Sequence, residues 1–111
     1  MMSELLTKRL IFTRGLCELI TWGNEQPGCA VAWGRDFDED NEPLRHKKGS
    51  LHYLGLANDL ALYIGGVYQD KTEAYAFLAR KWKSMNPEFC WGGDFKSADG
   101  NHFSMTYQGR K

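Results

Sequence analysis

The chain has 111 residues, 42% of them hydrophobic and 25% charged, with four Trp, five Tyr and six Phe, so one ordered domain with an aromatic-rich core is expected across residues 1–111 and a disordered chain is excluded. Fourteen Lys and Arg offset fourteen Asp and Glu, which argues against nucleic-acid binding, an interaction driven mainly by Lys/Arg contacts to phosphates. No apolar run approaches the ~20 residues needed to span a bilayer, so no stable membrane association is expected.

The N-terminal stretch is interrupted by Glu4, Lys8, Arg9, Arg14 and Glu18 and lacks a signal peptide's apolar segment. Cys17, Cys29 and Cys90 are odd in number and widely spaced, which predicts no disulfide framework and fits a reducing compartment. Leu6, Leu10, Leu16, Leu19 and Ile20 recur at helical spacing, predicting a helix over about Leu5–Trp22 with Ser3 as its N-cap. Pro27-Gly28 ends that segment, and Cys29–Trp33 reads as a short buried strand. A charged loop, Asp36–Lys48, follows.

Leu56–Ile64 reads as a central strand, with Leu56, Leu60 and Leu62 on one face and Ala57, Asp59, Ala61 and Tyr63 on the other. Gly65-Gly66 turns the chain into Val67-Tyr68, which starts a hairpin partner. Thr72 is placed to cap a helix running to about Asn86, with Ala74, Leu78, Trp82 and Met85 as its apolar stripe, and Pro87 stops it. A Gly-rich segment, Trp91–Asp94, then leads to a last strand at His102–Tyr107. The expected class is α+β, two main helices packed on a small antiparallel sheet.

The chemically informative residue is Asp59, a carboxylate inside an apolar strand, where it must be paired, hydrogen-bonded or bound to a metal. His52 precedes it by seven positions, and His102 opens the last strand with Asp99 three residues before it. His, Asp and His form a donor set suited to Zn²⁺ with a fourth position left for water, and Asp99 is then a spare carboxylate for general-base work. Spacing alone also allows hydrogen-bonded structural histidines and an ordinary Asp-Gly-Asn turn.

Ser50-Leu-His52-Tyr-Leu-Gly55-Leu-Ala57-Asn-Asp59 resembles the S-x-H-x-x-G-x-A-x-D motif of the zinc D-Ala-D-Ala peptidase family of VanY/VanX type. Trp91-Gly-Gly-Asp-Phe and Asp99-Gly-Asn-His102-Phe resemble that family's C-terminal block. The small members without a signal peptide are phage endolysins acting as L-alanyl-D-glutamate peptidases, and this chain is similar to those. The resemblance implies a Hedgehog/DD-peptidase-type fold, Zn²⁺ held by His52, Asp59 and His102, Asp99 as general base, and Ser50 near the substrate. Gly55 and Ala57 are then small where bulk would crowd the metal strand. The implied substrate is a peptidoglycan stem peptide, cut at L-Ala–D-Glu, with D-Ala-D-Ala carboxypeptidase or dipeptidase activity and a non-catalytic zinc or murein-binding module as alternatives. A monomer that accumulates in the host cytoplasm and reaches the wall after membrane permeabilisation is the matching expectation.

Family members carry an Arg in a segment like G-E-x-Y-R, whereas the comparable stretch here is Gly34-Arg-Asp-Phe-Asp38, so Arg35 or Arg45 is the candidate substitute. His46, set among Arg45, Lys47 and Lys48, reads as a surface or substrate-facing residue. Asp36, Asp38 and Asp40 do not make an EF-hand, because Asn41 and Lys47 stand at the Gly and Glu positions. Cys90 reads as a buried free thiol, Trp82 and Tyr75 as core, and Trp91 as a residue either beneath the metal strand or walling the cleft.

Overall fold

A computed structural model of the chain describes residues 1–34 and 50–111. The elements run α1 (Glu4–Glu25), β1 (Cys29–Trp33), a tight 3₁₀ turn (Leu51–Leu54), β2 (Ala57–Ile64), β3 (Val67–Tyr68), a second 3₁₀ turn (Thr72–Tyr75), α2 (Ala76–Met85), β4 (Phe89–Trp91), a third 3₁₀ turn (Gly92–Asp94) and β5 (His102–Met105). The sheet has the order β1-β2-β5-β4, with β3 added to β2, and every pairing is antiparallel. The expected α+β class holds. None of the helices among the described residues is long and apolar enough to cross a membrane.

Ser3 caps α1 as expected, its Oγ accepting the Leu6 N–H at 3.1 Å. The buried stripe of α1 differs from the expected one: Phe12, Gly15, Leu16, Leu19 and Gly23 face inward, whereas Leu6 and Leu10 stay exposed. Two glycines thus sit on the packed face, where a count of hydrophobic side chains does not register them. The first turns of α1 are tied down by polar contacts instead. Lys8 Nζ reaches Glu88 at 2.7 Å and the Thr106 carbonyl at 2.8 Å, and Arg9 Nε donates to the Leu54 carbonyl at 2.6 Å. At the other end, Asn24 acts as a strand surrogate, accepting the Val31 N–H at 3.0 Å and donating to the Val31 carbonyl at 2.9 Å.

β2 keeps the alternation expected of it. Leu60 and Leu62 are fully buried against the helices together with Val31, Phe103, Met105 and Phe89. Ala57, Asp59, Ala61 and Tyr63 share the opposite face with their cross-strand partners Ser104, His102, Ala32 and Ala30. Trp82 is the hub of the core: it stacks on Phe89, meets Phe12 and Phe103 edge-on, and its Nε1 donates to the Cys90 and Ser104 carbonyls at 2.9 and 3.3 Å.

Further expectations are corrected. Cys29–Trp33 forms the expected strand, but at the sheet edge only its Val31 is buried. Thr72 does not cap a long helix; it opens a 3₁₀ turn, α2 begins only at Ala76, and Lys71 precedes the turn without a side-chain cap bond. The tighter turn brings Tyr75 into the core, where its hydroxyl accepts the Leu62 N–H at 3.2 Å and donates to the Gln69 carbonyl at 2.9 Å. The last strand ends at Met105, followed by an isolated bridge between Tyr107 and Arg110. The segment before it contains an unforeseen strand, β4, which completes the sheet edge.

Burial pushes the Tyr75 hydroxyl from 10.0 up to about 12. Its raised value means the neutral form is favoured in the fold, so this contribution is intact below pH 10 and is lost as pH climbs towards 12. Far-UV circular dichroism should place part of the alkaline unfolding in that window. Tyr75→Phe should flatten that dependence and cost about 1–3 kcal/mol in neutral urea titrations, because Leu62 N–H loses its buried acceptor and the Gln69 carbonyl its donor.

Candidate metal centre

Asp59 is the third residue of β2 and lies directly opposite His102, the first residue of β5. His102 Nδ1 is 3.8 Å from Asp59 Oδ1. His52 comes from the 3₁₀ turn that precedes β2 and brings its Nε2 to 3.5 Å from the same oxygen. The two imidazole rings meet edge-on with centroids 5.3 Å apart, and Phe95 covers His102 at 5.2 Å.

Local sequence explains why His52 points there. Ser50 Oγ accepts the His52 N–H at 3.2 Å and caps the turn. Gly55 ends it in the left-handed region (φ 73°), returning its own N–H to the His52 carbonyl, and Leu56 N–H bonds back to Leu51. Ser50 therefore builds the turn that carries His52. Gly55 is required by backbone conformation, a more specific reason than the avoidance of bulk.

The loop between β4 and β5 sets His102. Asp99 N–H bonds to the Gly92 carbonyl at 2.9 Å, and His102 N–H bonds to the Asp99 carbonyl at 3.2 Å. A Cβ on Gly92 would fall 2.1 Å from the Asp99 carbonyl oxygen and 2.7 Å from His102 Cβ, so only glycine permits this closure. Trp91 Nε1 donates to the Gly100 carbonyl at 2.7 Å, pinning the far side of the same loop, with Lys83 Nζ 5.6 Å over its ring. Trp91 thus supports the loop behind His102.

One ligand atom from each of His52, Asp59 and His102 lies within 4.8 Å of the others, and this trio could hold a metal ion. Four donors at ~2.0–2.1 Å on a tetrahedron stand about 3.3 Å apart, so the separations of 3.5 and 3.8 Å suit such an ion with little adjustment. Two neutral imidazoles and one carboxylate are also the right chemistry for Zn²⁺, and they leave one tetrahedral position for a water or a substrate oxygen. The enclosure is uneven. The side chains of His52 and His102 are 11% and 9% exposed, against 30% for Asp59, so the approach to the trio is from the Asp59 side.

Asp99 stands outside the trio, with an exposed side chain on the turn leading to His102. It borders a hollow that also includes Thr72, Tyr68 and Asn101. Asp94, the loop's other carboxylate, is taken up by an ion pair with Lys83 at 2.8 Å. Cys17, Cys29 and Cys90 are free thiols, and burial pushes the Cys90 thiol up, which keeps it protonated and a poor metal donor. Arg35, Arg45, His46 and the acidic run Asp36–Asp40 lie outside the described residues.

Two cavities border this centre, one at His52 and one at Asp59. One, of about 230 Å³, is lined by His52, Gly55, Ala57 and Asn58 together with Thr13 and Trp33. The other, of about 560 Å³, runs from Asp59 along the open face of β1, β2 and β3 past Ala61 to Tyr63 and Tyr68. Sequence reasoning singled out neither Asn58 nor this aromatic face. The available signal was the exposed aromatic at alternate strand positions, Tyr63 beyond Asp59 and Ala61.

The crystal structure of the Serratia marcescens L-Ala D-Glu endopeptidase ChiX matches the fold with a TM-score of 0.62, over 87% of this chain and 79% of that one, at 20% sequence identity. No curated protein sequence matches the chain. The D-alanyl-D-alanine carboxypeptidase family model matches residues 45–105, a span that includes Ser50, His52, Asp59, Asp99 and His102. With more than half of its length in that match, and as its two motif blocks imply, the chain belongs to the D-alanyl-D-alanine carboxypeptidase family of peptidases.

Proposed function

We propose that the protein is a zinc-dependent peptidoglycan peptidase that hydrolyses the L-Ala–D-Glu amide of the murein stem peptide. The observation that carries this reading is the convergence of His52 Nε2 and His102 Nδ1 on Asp59 Oδ1, at 3.5 and 3.8 Å, in a chain of a peptidase family. The open approach past Asp59 favours a polymeric substrate over a free dipeptide. The description of the matching family favours a second reading, a D-Ala-D-Ala carboxypeptidase with the same residues in the same roles.

In this reading His52, Asp59 and His102 hold the zinc ion. When bound, zinc supplies Lewis-acid polarisation of the scissile carbonyl and acidifies the attacking water. Asp99 takes the proton from that water and delivers it to the leaving amine. The backbone bonds of Asp99 to Gly92 and His102 hold it at the head of β5 while it does so. Both imidazoles are largely buried, which in this reading limits competing water around them.

Metal loading gives the first test. Zn²⁺ at about one hundred times its dissociation constant should stabilise the fold by about 2.7 kcal/mol, read as a rise in melting temperature. His52→Ala, Asp59→Ala and His102→Ala should each abolish most of that rise, and a triple variant that still binds zinc stoichiometrically would refute the ligand assignment. Asp99→Asn should keep the zinc and the melting temperature while turnover drops by about 10²–10⁴-fold. Loss of zinc in that variant would make Asp99 a ligand; normal turnover would make it a turn residue only. Digestion of purified cell walls followed by mass spectrometry identifies the bond: new N-terminal D-Glu is expected, and release of free D-Ala without it selects the carboxypeptidase.

A further inference from the structure

We infer that the trough on the open face of β1, β2 and β3 binds the glycan strand of murein, so that the substrate is a sugar-linked stem peptide. The inference rests on the proposed function and extends it to substrate recognition.

The trough starts at the metal centre, since Asp59 belongs to both. Its floor is flat because Ala32 and Ala61 are cross-strand partners that leave only methyl groups on this face. Its far end is aromatic. Tyr63 and Tyr68 pair across the hairpin with ring centroids 5.6 Å apart at 63°, and both are exposed. Tyr63 stands four residues from Asp59, about 13 Å along the strand, a length suited to two pyranose rings. The C–H faces of such rings pack on the electron-rich faces of aromatic side chains, while tyrosine hydroxyls and the Asn101 amide offer hydrogen bonds to sugar hydroxyl and N-acetyl groups.

Charge separates the glycan from the peptide as occupant. Among the described residues lining the trough, Asp59 is the single charged one, and it belongs to the metal trio. The stem peptide beyond L-Ala carries carboxylates, for which the described residues of the trough provide no cation. The disaccharide is neutral once its lactyl carboxyl is amidated to L-Ala. Connectivity agrees as well. The scissile carbonyl belongs to the alanine attached to that lactyl group, so the sugar begins within about one residue length, ~3.6 Å, plus the lactyl unit. A D-Ala–D-Ala bond lies several residues further from the sugar and would leave the trough idle.

The test compares two substrates on zinc-loaded protein: N-acetylglucosaminyl-N-acetylmuramoyl-L-Ala-D-Glu-diaminopimelate and N-acetyl-L-Ala-D-Glu-diaminopimelate. The sugar should lower KM by about tenfold or more, with kcat changing much less. In the double variant Tyr63→Ala/Tyr68→Ala the two KM values should converge, whereas Tyr63→Phe/Tyr68→Phe, which keeps both rings, should retain most of the difference. Equal KM values for the two substrates in the wild-type protein would overturn the inference. An independent readout titrates the free disaccharide into zinc-loaded Asp99→Asn and follows amide chemical shifts. Perturbations concentrated at residues 59–68 support the trough, and their absence there refutes it. Failure to cut either substrate would overturn the proposed hydrolysis, while the titration would still decide the trough.

Discussion

The pairing of Asp59 with His102 across β2 and β5 is the constraint on which the site depends. In a pleated sheet a one-residue slip sends every side chain to the opposite face. Such a slip would turn Asp59 into the helix-packed core, where an uncompensated carboxylate is strongly disfavoured, and would expose Leu60 and Leu62. Hydrophobic burial on one face therefore sets the register, and the register delivers a carboxylate and an imidazole to the same spot on the other. The Leu60 N–H bond to the Asn101 carbonyl carries the ladder one residue past β5 and fixes the turn that holds Asp99.

The remaining parts of the centre come from segments without regular structure, and they are held differently. His52 rides on a turn closed by Ser50 at one end and Gly55 at the other, with Arg9 of α1 anchoring the Leu54 carbonyl. The loop carrying Asp99 is closed by Gly92 and by the Trp91 indole. These are single hydrogen bonds, each worth about 0.5–1.5 kcal/mol, whereas the strands beneath them are secured by a buried core. Local opening of the turn and the loop is correspondingly cheaper than opening of the sheet. An ion held between them would join the two to β2.

Much of this was legible in the sequence. The alternation of Leu60 and Leu62 with Asp59 and Ala61 placed a polar residue on a strand's open face, and the two motif blocks marked the same His52, Asp59 and His102 that the fold brings together. What escaped has physical causes. β4 is three residues long, too short for a period-2 pattern to register. The inward face of α1 uses Gly15 and Gly23, whose value lies in close approach to Phe89 and Val31, not in hydrophobicity. Thr72 looked like a cap because its residue type favours one, yet the inward turn of Tyr75 decides the local geometry. Ser50 reads from the motif as a residue near the substrate, and its hydrogen bond to His52 N–H adds a role in the turn that carries His52.

The division between strand and loop has a consequence for specificity. β2 carries Asp59 at one point and Tyr63 four residues on, so the distance between metal centre and aromatic end is fixed by the strand rise and cannot adapt. The proposed chemistry, by contrast, is shared between this strand and two segments closed by single hydrogen bonds. Under the proposed function, such a fixed spacing favours ligands whose recognised part lies at one set distance from the reacting carbonyl. A murein glycan joined to its stem peptide through one lactyl unit meets that requirement, because the link between sugar and scissile alanine is short and constant in every repeat. Free peptides can slide along such a surface and gain nothing from the distance it imposes.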